Sequence, residues 1–409
     1  MNCPRCTTEL ATGALYCHVC GHQLSSGTAE RRSFVVKPDE PVRSFRLVST
    51  IMPTGAAERP RTYQIAFGIA LAVAVVAALL GWTPIALMVA AFAVPIVYIV
   101  YLYDVNLWED APIPVTGLAF LLTGALAVGF TLLWRSWMPS SLSAGTVDGS
   151  GSTVSVTGVL IMAVLVPVVG ELIRQVGPVL LASRPQFDDL MDGLTFGIIS
   201  GVAYATGDTL VRHWSLVQAG FNDPGQGAVT WTSLMVLEGF IKPLVIGTAT
   251  GIACAEFAGL GRGYDGFTPR YFMAVLEAVL WNVAYFGGVY LLSLVEATWL
   301  GLVLSLAWGA LLLVGLVLRV RGVLQTGLLE AALEKAARFH GAAPVGADGV
   351  LDHCPACEMP LMAGAAFCGA CGTAIQATAA GHQGGATEPD VGPPPMTPDS
   401  ARWDDEEAR

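Results

Sequence analysis

The sequence predicts an all-α polytopic membrane protein of about eight transmembrane helices, with a small β-rich cysteine module at each end. Three observations predict this class. Of the 409 residues, 54% are hydrophobic and only 13% are charged, where a soluble domain carries roughly 25% charged residues; mean hydropathy is +0.60. Apolar runs of the roughly 20 residues needed to cross a bilayer recur through the middle of the chain. Eight of the nine cysteines fall into two sets of four near the ends, and Cys254 stands alone in an apolar run, as a small packing residue would. The net charge of −11 argues against a nucleic-acid partner. The opening MNCPRC has no apolar stretch, so no cleavable signal peptide is expected.

Taken in order, residues 1–24 form the first cysteine module. Residues 25–62 form a basic linker with Arg31, Arg32, Lys37, Arg43, Arg46, Arg59 and Arg61. Residues 63–320 form the transmembrane domain, with spans near 64–81, 84–103, 114–134, 157–182, 189–211, 230–257, 271–294 and 297–318. The fourth span is interrupted by Gly and Pro at VPVVGE and VGP, so a broken or tilted helix is expected there. In the sixth, GTATG at 247–251 reads as small-residue packing for close helix approach. Residues 321–352 form an amphipathic helix and linker: Leu328, Leu329, Ala332, Leu333 and Ala336 recur at helical spacing. The second module occupies 353–375, and 376–409 is an acidic, Gly- and Pro-rich tail of disordered composition.

An even number of spans puts both ends on one side. With the ends inside, the inner segments hold Arg184, Arg262, Arg270, Arg319, Arg321, Lys335 and Arg338 besides the linker cluster, and the outer loops hold Arg135 and Arg212. That asymmetry places both cysteine modules in the cytoplasm.

Each module pairs two CxxC knuckles. Cys3-Pro-Arg-Cys6 is followed ten residues later by Cys17-His-Val-Cys20, and Cys354-Pro-Ala-Cys357 likewise by Cys368-Gly-Ala-Cys371. Four thiolates so spaced surround a tetrahedral Zn²⁺, and a site filled by four Cys is structural rather than catalytic. Disulfides are disfavoured in a reducing cytoplasm. Gly21 and Gly372 follow the second knuckles, where a tight turn is needed. Two zinc ribbons, and two structural zinc ions, are therefore expected. Such ribbons resemble the recognition modules at the ends of many bacterial membrane proteins; they cap a terminus, bind one another, or dock a cytosolic protein.

Polar residues gather in four spans: Glu171 and Arg174; Asp192 and Asp208; Glu238, Lys242 and Glu256; Glu277 and Asn282. Glu171 with Arg174 (i,i+3) and Glu238 with Lys242 (i,i+4) share helix faces and can neutralise each other. Charge at bilayer depth is costly, so these residues either bind the bundle together or line a hydrated functional cavity.

The order of motifs resembles the PrsW family of bacterial intramembrane proteases, relatives of the CAAX-processing membrane proteases. YIVYLYDVNLWEDAPIP is similar to the family's segment ending in an aspartate and an acidic-Pro loop. GELIR stands where the family has EExxK, and DGLTFGIISGVAYATGDT where it has a Gly-rich helix ending in Phe-Ala-x-x-Glu-Asn. A weaker likeness runs through EGFIKPLVIGTATG and AVLWN, so the resemblance covers about residues 95–285.

The resemblance implies a water-activating centre built from the first glutamate of EExxK, a helix-borne Glu and two intramembrane histidines, working directly or around a metal. Here the first of these positions is Gly170, with Glu171 and Arg174 at the next two motif positions; Glu-Asn becomes Asp208-Thr209. The family's Arg and His align with Glu238 and Ile246, and its His-x-x-x-Asn becomes Ala278 with Asn282 retained. None of the six histidines lies inside an expected span, and His213 comes nearest. The reading that follows is a catalytically inactive scaffold or adaptor, embedded in the lipid of a bacterial plasma membrane. It would recognise protein partners through its ribbons or its membrane cavity. The alternatives are an active intramembrane endopeptidase using Glu171 and Asp208 as an acid/base pair, and a carrier or channel lined by Glu171, Asp208, Glu238 and Lys242. Other hydrolase and nucleotide-binding motifs are absent from the sequence.

Overall fold

The computed structural model describes residues 2–11, 13–24, 62–80, 113–137, 159–183, 190–214, 235–261, 264–295, 297–339 and 352–375, with single positions between 82 and 97 and at 233. The basic linker, most of the second expected span, the acidic-Pro loop and the C-terminal tail lie outside the described residues.

Seven helices follow among them: α1 (Thr62–Leu79), α2 (Ile113–Trp137), α3 (Val166–Ala182), α4 (Leu190–Arg212), α5 (Lys242–Ala258), α6 (Pro269–Ser293) and α7 (Thr298–Phe339). Among the described residues six helical segments are long and apolar enough to span a membrane, where the sequence suggested eight over the whole chain. Of the other two, the first is the apolar helix α1, and the second falls mostly outside the described residues.

The expected break in the fourth span is instead a change of pitch. Leu160–Leu165 forms a π-turn that runs straight into α3, and Leu237–Ile241 does the same before α5. Both π-turns end one residue before a proline's neighbour, with Pro167 and Pro243 in the first turn of the helix that follows. A proline ring clashes with the carbonyl four residues back and brings no N–H to bond it, so a wider turn relieves both conflicts. Pro178 lies further along, inside α3, and leaves the Arg174 carbonyl without its helical donor. The Ser200 hydroxyl of α4 donates to that carbonyl at 2.7 Å. The helix therefore passes Pro178 with its polar backbone satisfied, as a lipid environment demands.

α4 and α5 form the centre. Of the spanning window of each, 89% is buried, against 28% for α2 and 22% for α6. Small residues make this possible. Gly193, Gly197 and Gly201 recur every fourth residue on α4 and face Cys254, Gly251 and Gly247 of α5; a Cβ on Gly201 would lie 2.6 Å from the Gly247 Cα. GTATG is thus the small-residue crossing surface that its composition suggested. The outer helices turn leucines such as Leu118, Leu121, Leu276 and Leu280 outward, the faces that meet lipid.

α7 corrects a boundary. The amphipathic helix expected after residue 320 is the continuation of the last span, one helix of 42 residues. At 1.5 Å per residue it is about 63 Å long, twice the hydrocarbon thickness, so its second half projects from the bundle. Leu329, Leu333 and Ala336 there pack against Cys354, Met359, Leu361 and Cys368 of the second cysteine module and against Leu260 of the α5–α6 turn.

The cysteine modules are less β-rich than expected. Among the described residues each has two isolated antiparallel bridges, Asn2 with Glu9 and Tyr16 with Gln23, then His353 with Pro360 and Phe367 with Ala374, and no extended strand. The residue after the second Cys of every knuckle takes a left-handed conformation: Thr7 (φ 59), Gly21 (φ 66), Glu358 (φ 60) and Gly372 (φ 76). The two modules also touch each other.

Candidate functional site

Glu171 is the hub of a buried network in the middle of the bundle. It and Arg174 are both fully buried. Arg174 Nη2 donates to Glu171 Oε2 at 2.7 Å and Nε donates to the same oxygen at 3.2 Å. The Thr250 hydroxyl of α5 and the Asn282 amide of α6 donate to that oxygen at 3.1 and 3.0 Å, and Gln175 Nε2 donates to Oε1 at 2.6 Å. Four donor side chains from three helices thus converge on one carboxylate. The network extends from the Gln175 carbonyl oxygen, which accepts from Tyr271 Oη at 3.3 Å and from Cys254 Sγ at 3.2 Å. Cys254 therefore bonds as well as packs.

The position before Glu171 is informative. A Cβ on Gly170 would meet the Tyr204 hydroxyl at 2.7 Å and Arg174 Nη1 at 3.1 Å. Tyr204 is itself buried and lies beneath the Arg174 guanidinium, 4.6 Å from its ring centroid. The phenol of α4 therefore fills the space that a side chain at 170 would enter.

Asp208 belongs to a second network, near the opposite end of α4 from residue 190. Its Oδ2 pairs with Lys242 Nζ at 2.8 Å and with Arg212 Nε at 2.7 Å, and its Oδ1 accepts from the Thr131 hydroxyl at 2.9 Å. Lys242 also pairs with Glu238 at 2.6 Å, while Thr209 donates to Glu238 at 3.0 Å. His213 Nε2 lies 4.0 Å from Glu238. Two carboxylates here face two cations, and burial makes that balance necessary. Glu277 stands apart from both networks and pairs with Arg319 of α7, a partly exposed contact at 2.9 Å.

The two i,i+3 and i,i+4 pairs expected from the sequence are therefore formed, and Asn282 joins Glu171. Glu171 and Asp208 are not brought together: Glu171 is held by Arg174, Gln175, Thr250 and Asn282, and Asp208 by Lys242, Arg212 and Thr131. Tyr204, Thr250, Ser200 and Thr131 were not singled out by sequence reasoning. Polar and aromatic residues that face inward from neighbouring helices leave no trace in a local pattern. Gln175, four residues after Glu171, was accessible to the spacing rule that found Arg174.

The cysteine clusters fit a tetrahedral metal. Cys3–Cys20, Cys6–Cys17, Cys354–Cys371 and Cys357–Cys368 sulfurs lie 3.7, 3.5, 3.7 and 3.6 Å apart, and within each set all ligand atoms lie within 4.8 Å of one another. Zn–S bonds of about 2.3 Å at tetrahedral angles place sulfurs about 3.8 Å apart. The Thr8 hydroxyl lies 3.2 Å from the Cys6 sulfur, within hydrogen-bond reach.

The fold and these sites define a polytopic helical membrane protein with a buried polar centre and two terminal four-cysteine modules whose geometry could hold a metal. Residues 111–299, most of the membrane core, match the PrsW-protease family, described as PrsW family intramembrane metalloprotease. No curated protein and no solved structure matches. The metal of the family's description does not fit the Glu171 centre. Among the described residues Glu171 is the one carboxylate there, and it shares its oxygen with a guanidinium, a cation placed where a second cation would have to bind. Among the described residues the His, Cys, Asp and Glu groups suited to a metal are the two four-cysteine sets.

Proposed function

We propose that this protein is a catalytically inactive PrsW-like scaffold of a bacterial plasma membrane, with both ribbons cytoplasmic and each holding one structural Zn²⁺. The observation that carries the reading is the saturation of Glu171. A general base must reach the proton it removes through an open lone pair or a single water. Here both carboxylate oxygens accept hydrogen bonds and neither meets solvent. Gly170 replaces the family's first catalytic glutamate, and Tyr204 fills the adjoining space. The distribution of Lys and Arg supports the orientation. The polar centre then serves to hold α3, α5 and α6 in register, and protein partners engage the ribbons or the membrane face.

Reconstituted into liposomes with a single-pass membrane substrate, the protein should cleave nothing. Gly170→Glu should restore nothing either, because the new side chain must displace Tyr204 from beneath Arg174. Cleavage by the wild-type chain that disappears in Glu171→Gln would overturn the reading.

Elemental analysis of the purified protein should give two zinc ions per chain, both lost to a strong chelator. A third, retained in a variant with all eight ribbon cysteines replaced by serine, would place a metal in the membrane core.

A further inference from the structure

The two cysteine modules join at the turns that present half of their ligands. Leu15 and Tyr16, just before Cys17, both donate backbone N–H groups to the Gly369 carbonyl, at 2.8 and 3.0 Å. Reciprocally, Ala366 and Phe367, just before Cys368, donate to the His18 carbonyl at 2.9 and 3.0 Å. Each acceptor is the residue that follows the first Cys of a second knuckle. Aromatic rings complete the exchange. Phe367 lies over Gly21, whose Cβ would come within 2.9 Å of the ring, and Tyr16 lies over Gly372, at 2.8 Å. Both glycines are also the left-handed residues that close their knuckles, at φ 66 and 76.

The knuckles therefore brace one another with a near-twofold exchange of identical contacts. Neither module has much core of its own; in the first it amounts to Cys3, Leu10 and Cys17, with Cys6, Cys20 and Leu24 packed against them. In so small a module the binding of metal is the folding reaction. Only a folded knuckle offers its neighbour the carbonyl and the glycine surface described above.

We propose that the two four-cysteine sites are thermodynamically linked, so that metal at either site raises the affinity of the other and the pair closes as one clasp joining the two ends of the chain. The clasp reaches the membrane domain through the second module. Gly261 in the α5–α6 turn has φ 89, and a Cβ there would lie 3.0 Å from the Glu358 Cβ. Its N–H donates to Glu330 of α7 at 3.0 Å. Opening the clasp thus frees this turn as well. The inference rests on the reading of the clusters as metal sites.

The test measures zinc affinity on the full-length protein in detergent, by competition with a chromophoric chelator. Cys3→Ser with Cys6→Ser empties the first site at its first knuckle, away from the contact between modules. Cys354→Ser with Cys357→Ser empties the second in the same way. Each double variant should weaken the remaining site at least tenfold, and by the same factor, because linkage is reciprocal. Tyr16→Ala with Phe367→Ala keeps all eight ligands and should weaken both sites while still binding two zinc ions. Hydrogen exchange at 259–268 should rise in all three variants. Remaining-site affinities within twofold of wild type, or weakening in one direction alone, would overturn the linkage and leave the metal sites standing. Failure of the wild-type chain to bind zinc would overturn both.

Discussion

Glu171→Ala is expected to destabilise the membrane domain by about 3–5 kcal/mol, the usual cost of removing one partner of a buried ion pair. The loss exceeds that of a single hydrogen bond because of what remains. Arg174 would keep a buried guanidinium with no counter-ion, and the Gln175, Thr250 and Asn282 donors would lose their shared acceptor. Unfolding in mixed micelles at increasing denaturing detergent measures it. Glu171→Leu with Arg174→Met removes both charges at similar volume and should recover most of the loss, since a buried pair replaced by apolar residues is often neutral. The pair would be structurally idle if Glu171→Ala stayed within about 0.5 kcal/mol of wild type, the range of unimportant surface changes. The experiment also bears on function. A carboxylate whose removal costs this much is a structural hub, whereas a catalytic base held ready for water is usually replaced at little cost to the fold.

The second large effect is at the centre of the bundle. Gly201→Leu should prevent α4 and α5 from crossing and abolish a monodisperse folded species in size-exclusion chromatography. A Cβ at 201 would lie 2.6 Å from the Gly247 Cα and 2.9 Å from its nitrogen, so the obstruction is backbone and has nowhere to go. Ordinary overpacking costs about 1–3 kcal/mol because side chains can shift; this contact lacks that relief. Gly129→Leu on α2 is the control, since nothing lies within 4 Å of that position. It should behave as wild type. A folded Gly201→Leu protein of unchanged stability would mean that the helices cross elsewhere.

Much of this molecule was legible one residue at a time. The six candidate spans follow from runs of apolar residues, because lipid selects composition over a fixed length and admits no irregular backbone. The cysteine clusters follow from CxxC spacing, since a tetrahedral metal sets the distance between thiolates. The Glu171–Arg174 and Glu238–Lys242 pairs follow from helical periodicity alone. The tight turns at Gly21 and Gly372 follow from their place after a knuckle, and the structure makes them left-handed.

What sequence reasoning missed depends on contacts between segments far apart in the chain. Nothing local pairs Asp208 with Lys242 rather than with Glu171; that choice is made where α4 crosses α5. Nothing local places Tyr204 over Gly170, or lets Ser200 bond the carbonyl that Pro178 frees. The continuity of α7 was hidden because its first half is patterned for lipid and its second for a protein surface, while the backbone itself never breaks. Composition and period determine which segments cross the membrane and which thiols can share a metal, since both are properties of short stretches. The pairing of the two ribbons, and the division of the buried charges into two closed networks, arise only when the helices pack, because burial decides which opposite charge or hydrogen-bond donor each group must find.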